Sequence, residues 1–294
     1  MGLLRPVLEQ CAPDPGATRT REDATGPGVA HTGLVHTSSD EEFESLPKRV
    51  AFRPPLRTTL RENFSVVGVG TKLLPRRRPN VPINLERVPV LLVPGFLSGD
   101  FALTPMSEAL RARGHWTSGS GITPNVGCTR ELADAVQRRA EEIAEQRNSR
   151  VAIVGWSRGG TLGKIVALER PDLIASLITL GTPNLDPLAI NVTLSRQLSV
   201  LTRLHALGVK NVISEDCLEG ECARAIRTRL AEDFPTGVGY TSIFSMSDGV
   251  IDWRACLDPD AVHVEVDATH MAMGADVTVM DLVVQLLADV PAVA

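Results

Sequence analysis

The feature that most constrains the fold is an alternation, from about Val88 onwards, between short apolar runs and longer amphipathic segments. The short runs are continuously apolar, which is typical of parallel strands buried on both faces. Because helical patterns separate them, the sequence predicts an α/β fold in which helices cover both faces of a mostly parallel sheet. The predicted strands are Val88–Val93, Val151–Val154, Leu173–Leu180, Thr241–Phe244 and Val262–Val266.

The domain organisation follows from where this alternation is present and where it stops. The first part of the chain is rich in Pro, Gly, Thr and Ser without any periodic pattern, so it is predicted to be an extended, flexible segment. Between Gly181 and Gly239 helical patterns occur without a strand, which predicts a helical insert. The predicted units are an N-terminal extension at residues 1–55, a first core part at 56–184, an insert at 185–236 and a second core part at 237–294.

The composition excludes several classes of protein. Of the 294 residues, 43% are hydrophobic and 22% are charged, which is typical of a globular chain and not of a disordered one. The 35 acidic and 30 basic residues give a net charge of −5, so nucleic acid is not expected as a partner. No apolar run approaches the roughly 18–20 residues that a transmembrane helix needs, and no transmembrane segment is predicted.

The amino terminus and the cysteines indicate a compartment. Residues 1–15 lack the basic start and the apolar stretch of about 7–15 residues of a signal peptide, so a cytoplasmic location is expected. The five cysteines are an odd number without CxxC spacing, so no metal site of that type is expected. Cys217 and Cys222 are close enough in sequence to close a small disulfide loop, but a reducing compartment favours free thiols.

A candidate nucleophile lies within the sequence Gly155-Trp156-Ser157-Arg158-Gly159. This G-x-S-x-G pattern directly follows a predicted strand and opens a predicted helix, which is the setting of a nucleophile elbow. In such a turn the serine has a strained positive φ and projects its hydroxyl from the edge of the sheet, while glycines leave room for close backbone approach. The pattern therefore predicts Ser157 as a nucleophile.

A nucleophilic serine needs hydrogen-bond donors for the negative charge that develops on the substrate carbonyl oxygen. The backbone N–H of Arg158, directly after the serine, is one candidate donor. The turn Val93-Pro94-Gly95-Phe96 ends the first predicted strand, and the N–H of Phe96 is the second candidate. Phe96 and Arg158 are thus predicted to form an oxyanion hole.

Five segments follow one another along the chain: Leu91–Phe96, Val154–Gly160, Leu180–Pro183, Ser247–Val250 and Ala268–His270. In this order they resemble the α/β-hydrolase superfamily, specifically its lipase- and esterase-like serine hydrolases. The resemblance extends from about Val88 to the end of the chain, and it implies a three-layer α/β-hydrolase fold with the insert as a helical cap. One departure is that no convincing strand pair precedes Val88; the family's first two strands are missing or are replaced by Phe64–Leu74.

The resemblance also implies the partners of the serine. The family places its catalytic histidine on the loop after the last strand, which corresponds to His270 in this chain. It places the acid after the penultimate strand, where Asp248 precedes Gly249 in a tight turn and Asp252 is the rival. The implied triad is Ser157, His270 and Asp248.

The function implied by the resemblance is the hydrolysis of carboxylic esters of a small molecule or a lipid, without a metal or a cofactor. An apolar pocket near Trp156, Met271 and Met273 suggests an apolar acyl or alkyl group. Two alternatives stay open at this point. One is an acyltransferase that uses the same triad, and the other is a catalytically idle hydrolase fold that serves as a binding protein.

Overall fold

The computed structural model describes residues 52–55, 57–62, 81–288 and 290–291, and a sheet forms the middle layer of this described part. Its strands are β1 (Val90–Val93), β2 (Thr117–Gly119), β3 (Val151–Trp156), β4 (Ile174–Leu180), β5 (Gly239–Phe244) and β6 (Val262–Glu265). The order across the sheet is β2-β1-β3-β4-β5-β6, and every neighbouring pair is parallel. The predicted parallel sheet is thereby confirmed.

Helices cover both faces of this sheet. They are α1 (Thr104–Arg111), α2 (Thr129–Arg147), α3 (Arg158–Glu169), α4 (Val192–Ala206), α5 (Glu221–Leu230) and α6 (Val277–Ala288). Successive strand residues point to opposite faces, so Leu92 and Val154 pack with α1 and α6, whereas Leu91 and Ile153 pack with α2, α3 and α5. The predicted three layers are confirmed. Within the described ranges, no helix combines the length and the apolar character that crossing a bilayer requires.

The structure differs from the predicted elements at the first two connections. Strand β2 was not predicted, because Thr117-Ser118-Gly119 is short and lacks an apolar run; its pairing with β1 makes it a strand. Between β1 and β2 the chain forms a 3₁₀ turn at Asp100–Leu103, and α1 follows it.

Two predictions fall wholly or mostly outside the described residues. The extension at residues 1–55 is described only at 52–55, where the Phe52 N–H donates to the Ile190 carbonyl at 3.0 Å. The segment Phe64–Leu74, a possible replacement for the family's first strands, is not described. Within the described part, the sheet has no strand before Val90.

The region between β4 and β5 holds α4 and α5 and has no strand in the sheet, as the sequence pattern predicts. On α4, Leu198 and Leu201 pack into an apolar cluster with Ile190, whereas Leu204 and Leu207 are exposed. The described part of the chain therefore contains a helical insert whose apolar side packs against β5 and the segment that follows β5. Its role as a cap stays a prediction.

The parallel strands bring four connecting segments to one edge of the sheet. Residues 94–99 follow β1, Ser157 follows β3, residues 245–252 follow β5 and residues 266–270 follow β6. Because the carboxyl ends of parallel strands lie at the same edge, the segments that carry the predicted site residues meet there.

A buried ion pair anchors α3 beneath this edge. The side chains of Lys164 and Asp258 are each 2% exposed, and the Lys164 ammonium contacts the Asp258 carboxylate. The ammonium also donates to the Leu230 carbonyl at 2.9 Å, and the carboxylate accepts the Tyr240 hydroxyl at 3.0 Å. Burial, together with the charge of Asp258, raises the pKa of Tyr240, so this hydroxyl keeps its proton. The network links α3 to α5 and β5.

We expect Lys164→Met to lower the free energy of unfolding by about 3–5 kcal/mol, because it leaves the Asp258 carboxylate buried without its cation. The double variant Lys164→Met with Asp258→Asn should regain part of this loss. Urea denaturation measures both. The matched control is Arg113→Met, since Arg113 pairs with Asp281 at 3.7 Å on the surface; its loss should stay below about 1 kcal/mol. Equal losses from Lys164→Met and the control would contradict this account.

Candidate active site

Ser157 stands in the sharp turn between β3 and α3. Its backbone has φ 53° and ψ −127°, a strained conformation that the nucleophile elbow requires. The flanking glycines permit it: a Cβ on Gly155 would lie 2.4 Å from the Gly160 Cα, and one on Gly159 would lie 2.2 Å from the Val93 carbonyl oxygen. Since no side chain fits at either contact, the turn can form only with glycine at these positions.

The structure brings Ser157, His270 and Asp248 together. His270 Nε2 lies 3.0 Å from Ser157 Oγ, and His270 Nδ1 lies 2.7 Å from Asp248 Oδ2. When Nδ1–H donates to the carboxylate, Nε2 is left to accept the serine proton, which is the arrangement of a nucleophile with a general base. The three residues are only 5%, 3% and 2% exposed, so little water reaches the hydrogen bonds between them.

The structure also distinguishes Asp248 from Asp252, the other candidate for the acid. The Oδ1 atom of Asp248 accepts the N–H groups of Val250 and Ile251 at 2.8 and 2.7 Å, which leaves Oδ2 for the imidazole. Asp252 instead caps the 3₁₀ turn Trp253–Cys256. The tight turn at Asp248 therefore aims its carboxylate at the histidine, and Asp252 is used elsewhere.

Glu62, a carboxylate that the sequence patterns did not reveal, connects the loop after β5, which carries Asp248, to the loop after β6, which carries His270. Glu62 lies in the helical segment at residues 57–62, is 6% exposed and accepts three backbone N–H groups. The donors are Gly249 at 2.9 Å, His270 at 2.7 Å and Met271 at 3.1 Å. No local signal distinguishes this glutamate from a solvated one, because all three partners lie far along the chain.

The surrounding charges set the protonation of His270. Burial lowers the pKa of this imidazole, but the charge and hydrogen bond of Asp248 and the charge of Glu62 raise it. The resulting pKa of His270 lies above the ordinary value of 6.5. Both carboxylates therefore stabilise the imidazolium that forms when the histidine takes a proton.

The loop that carries Phe96 is fixed by Asn125. The Leu97 N–H donates to the Asn125 carbonyl at 3.1 Å, and the Asn125 side chain donates to the Pro94 carbonyl at 2.8 Å. Among the residues that the structure describes, neither the Phe96 N–H nor the Arg158 N–H donates to a protein acceptor. Both N–H groups are free to bind an oxyanion, and that role stays a prediction.

The Arg158 side chain reaches away from the serine into the loop at residues 125–129. Its guanidinium donates to Asn125 Oδ1 at 3.0 Å, to the Gly127 carbonyl at 2.6 Å and to Thr129 Oγ1 at 3.0 Å. Burial lowers the pKa of Arg158 to about 10, which still leaves the group charged at neutral pH. This side chain thus connects the elbow to the residues that fix the Phe96 loop, a role that the sequence pattern did not indicate.

A cavity of about 310 Å³ opens onto Ser157 and His270. Of the three residues predicted to form an apolar pocket, Trp156 and Met271 line this cavity and Met273 does not. Residues 270–272 form a 3₁₀ turn, and Met273 after it is fully buried in the core. The prediction for Met273 is corrected because this turn directs it away from the cavity.

The remaining walls of the cavity come from four parts of the chain, one of which is the loop after β5. The insert contributes Asn191, Leu194 and Gln197 around the start of α4, and the helical segment at residues 57–62 contributes Thr59. The loop after β1 contributes a further apolar side, which includes Leu97. The site therefore combines apolar walls with amide and hydroxyl groups that can hydrogen-bond a substrate.

Solved structures share this fold. The mature form of Bacillus licheniformis lipase BlEst2 has a TM-score of 0.52 and 17% identity, covering 71% of this chain and 94% of that one. Its propeptide form has a TM-score of 0.55 and 15% identity, covering 74% and 54%. A gene product of Listeria innocua has a TM-score of 0.51 and 13% identity, covering 69% and 95%.

These likenesses show that the chain has the three-layer α/β-hydrolase fold, so the resemblance seen in the sequence is confirmed as a likeness of fold. No protein-family model matches the sequence, and no curated protein matches it. What the site does must therefore be argued from its own geometry.

We expect Asp248→Asn to lower kcat for an ester substrate by several orders of magnitude, about 10⁴-fold, because the imidazole loses the group that fixes its tautomer. Asp252→Asn is the matched control and should lower kcat less than about tenfold, a difference of more than about 4 kcal/mol in the activation barrier. Steady-state kinetics on folded variants measure both. The opposite ranking would assign the acid role to Asp252.

We expect Glu62→Gln to shift the acid limb of the kcat/KM pH profile to lower pH. His270 must be neutral to act as a base, and loss of the Glu62 charge lowers its pKa, so the variant stays active further into the acidic range. Glu145→Gln, an exposed change on α2, is the control and should leave the profile in place. A Glu62→Gln profile that matches the wild type would limit Glu62 to a purely structural role.

Proposed function

We propose that this protein is a serine hydrolase that cleaves carboxylic esters through an acyl-enzyme. The observation that carries the proposal is the continuous series of hydrogen bonds from Asp248 through His270 to Ser157, at the edge of a cavity. The hydrolase fold is consistent with this function, and the substrate is inferred from the cavity and not from the fold.

The first half-reaction begins when Ser157 Oγ attacks the ester carbonyl carbon while His270 Nε2 takes the serine proton. The negative charge of the tetrahedral intermediate lies on the former carbonyl oxygen, where the N–H groups of Phe96 and Arg158 stabilise it. The intermediate collapses with loss of the alcohol, which receives the proton from His270. The acyl group remains on Ser157 as an ester.

The second half-reaction repeats these steps with water as the nucleophile. His270 takes a proton from water, the hydroxide adds to the acyl carbon, and the carboxylic acid leaves as Ser157 Oγ regains its proton. Throughout both halves, Asp248 keeps Nδ1 protonated and stabilises the imidazolium.

We further propose a small-molecule ester with an apolar acyl or alkyl group as the substrate. Small-molecule sites typically have volumes of about 300–1,000 Å³. The cavity of about 310 Å³ lies at the lower end of this range. The apolar sides of Phe96, Leu97 and Met271 suit the hydrocarbon part, and residues 185–236 act as the cap that completes the pocket.

The two alternatives differ from ester hydrolysis in a measurable step. An acyltransferase would form the same acyl-enzyme and then transfer the acyl group to an alcohol in preference to water, so product analysis with an added alcohol separates the two. A catalytically idle binding protein would form no acyl-enzyme at all, so a fluorophosphonate probe would leave it unlabelled.

We expect Ser157→Ala to abolish fluorophosphonate labelling and to reduce the hydrolysis of p-nitrophenyl butyrate by on the order of 10⁶ in kcat, as loss of a triad nucleophile does. Ser199→Ala on α4, an exposed serine outside the cavity lining, is the matched control and should label and turn over like the wild type. Intact mass spectrometry of the labelled protein gives the stoichiometry.

A wild-type protein that neither labels nor hydrolyses the ester would contradict the proposal. So would a Ser157→Ala variant that retains both properties, because the nucleophile would then lie elsewhere. Circular dichroism of each variant separates loss of chemistry from loss of fold.

A further inference from the structure

Three cysteines that are far apart in sequence converge on the face of the sheet covered by α2, α3 and α5. Cys128 is the N-cap residue of α2, Cys222 lies in the first turn of α5 and Cys217 precedes α5 within the insert. Their sulfur atoms all lie within 4.8 Å of one another, and the Cys128 and Cys222 sulfurs are 3.7 Å apart. All three carry free thiols.

The geometry points to a binding site for a thiophilic divalent metal ion, zinc, formed by Cys128, Cys217 and Cys222. Zinc binds thiolate sulfur at about 2.3 Å in tetrahedral geometry, which places neighbouring sulfurs about 3.8 Å apart. The 3.7 Å between Cys128 and Cys222 already has this value. The cysteines are only partly buried, so water can occupy the fourth position.

The positive charge of Arg158 next to the thiols also favours a zinc–thiolate site. Arg158 is partly buried, and its hydrogen-bond acceptors among the described residues (Asn125, Gly127 and Thr129) are neutral. A cation that is partly withdrawn from water is stabilised by a nearby counter-charge. Zinc binding displaces three thiol protons, and Zn²⁺ with three thiolates carries a net charge of −1. That charge lies beside the guanidinium, within reach of electrostatic interaction.

A disulfide between two of these cysteines explains fewer of the observed features than a zinc site does. A Cys128–Cys222 bond would use two of the three sulfurs and bring them to about 2.05 Å, and it would leave Cys217 unpaired. The resulting group would also be uncharged, so Arg158 would gain no counter-charge. The three-thiolate site uses all three cysteines and supplies that charge.

The metal would connect the insert to the oxyanion side of the active site. Cys217 and Cys222 belong to the insert, whereas Cys128 belongs to the loop that Arg158 and Asn125 connect to Pro94 and Leu97. Its function is structural, because the sulfurs contact neither Ser157 nor His270. The inference is independent of the proposed ester hydrolysis.

The test is metal binding by the full chain. The protein is purified under reducing conditions from cells grown with added zinc, without chelators, and elemental analysis counts the bound metal. The metal-free protein is then titrated with Co²⁺. We expect roughly one metal per chain, with the thiolate charge-transfer bands and intense visible bands of tetrahedral cobalt.

Single variants assign the ligands. Cys128→Ser, Cys217→Ser and Cys222→Ser should each lose the cobalt bands at stoichiometric metal, whereas Cys256→Ala, which removes a buried thiol elsewhere, should keep them. Circular dichroism confirms that each variant is folded. A wild-type chain without stoichiometric metal, cobalt bands that survive all three serine variants, or a Cys128–Cys222 disulfide in the peptide map of the unreduced protein would each overturn the inference.

Discussion

The close approach of α3 to the end of β1 is the constraint on which the site depends. Gly159 lies so near the Val93 carbonyl that only a hydrogen atom fits where a Cβ would stand. This contact holds Ser157 at its positive φ and places the Arg158 N–H next to the segment that carries Phe96. Backbone packing thus sets the position of Ser157, the proposed nucleophile, and the side chains of the proposed triad would act on a geometry that already exists.

Local signals made this part of the site predictable from the sequence. A continuous apolar run followed by glycines identifies the turn at Ser157, and an aspartate before Gly249 predicts the tight turn that aims Asp248. The same reasoning failed where packing decides whether a segment forms a strand or which way a side chain points. Strand β2 has no pattern of its own and exists through its pairing with β1. Met273 follows Met271 by two positions, yet a single 3₁₀ turn sends it into the core.

Contacts between distant parts of the chain were beyond any spacing rule. Glu62 binds backbone groups 187 to 209 positions later, and Cys128 lies 94 positions from Cys222. Sequence periodicity reports neighbours on one strand or helix, whereas topology creates these contacts. Both groups carry electrostatic roles that no motif encodes: Glu62 adds negative charge near His270, and the thiols lie beside the Arg158 cation.

The position of Glu62 also has a consequence for biosynthesis. A ribosome makes this glutamate long before the Gly249, His270 and Met271 amides that it binds, and contacts of such wide separation form late in folding. The helical segment at residues 57–62 therefore cannot make these hydrogen bonds until all three partner residues have been synthesised. Through the Glu62 carboxylate, this segment connects the part of the chain before β1 to the loops that follow β5 and β6.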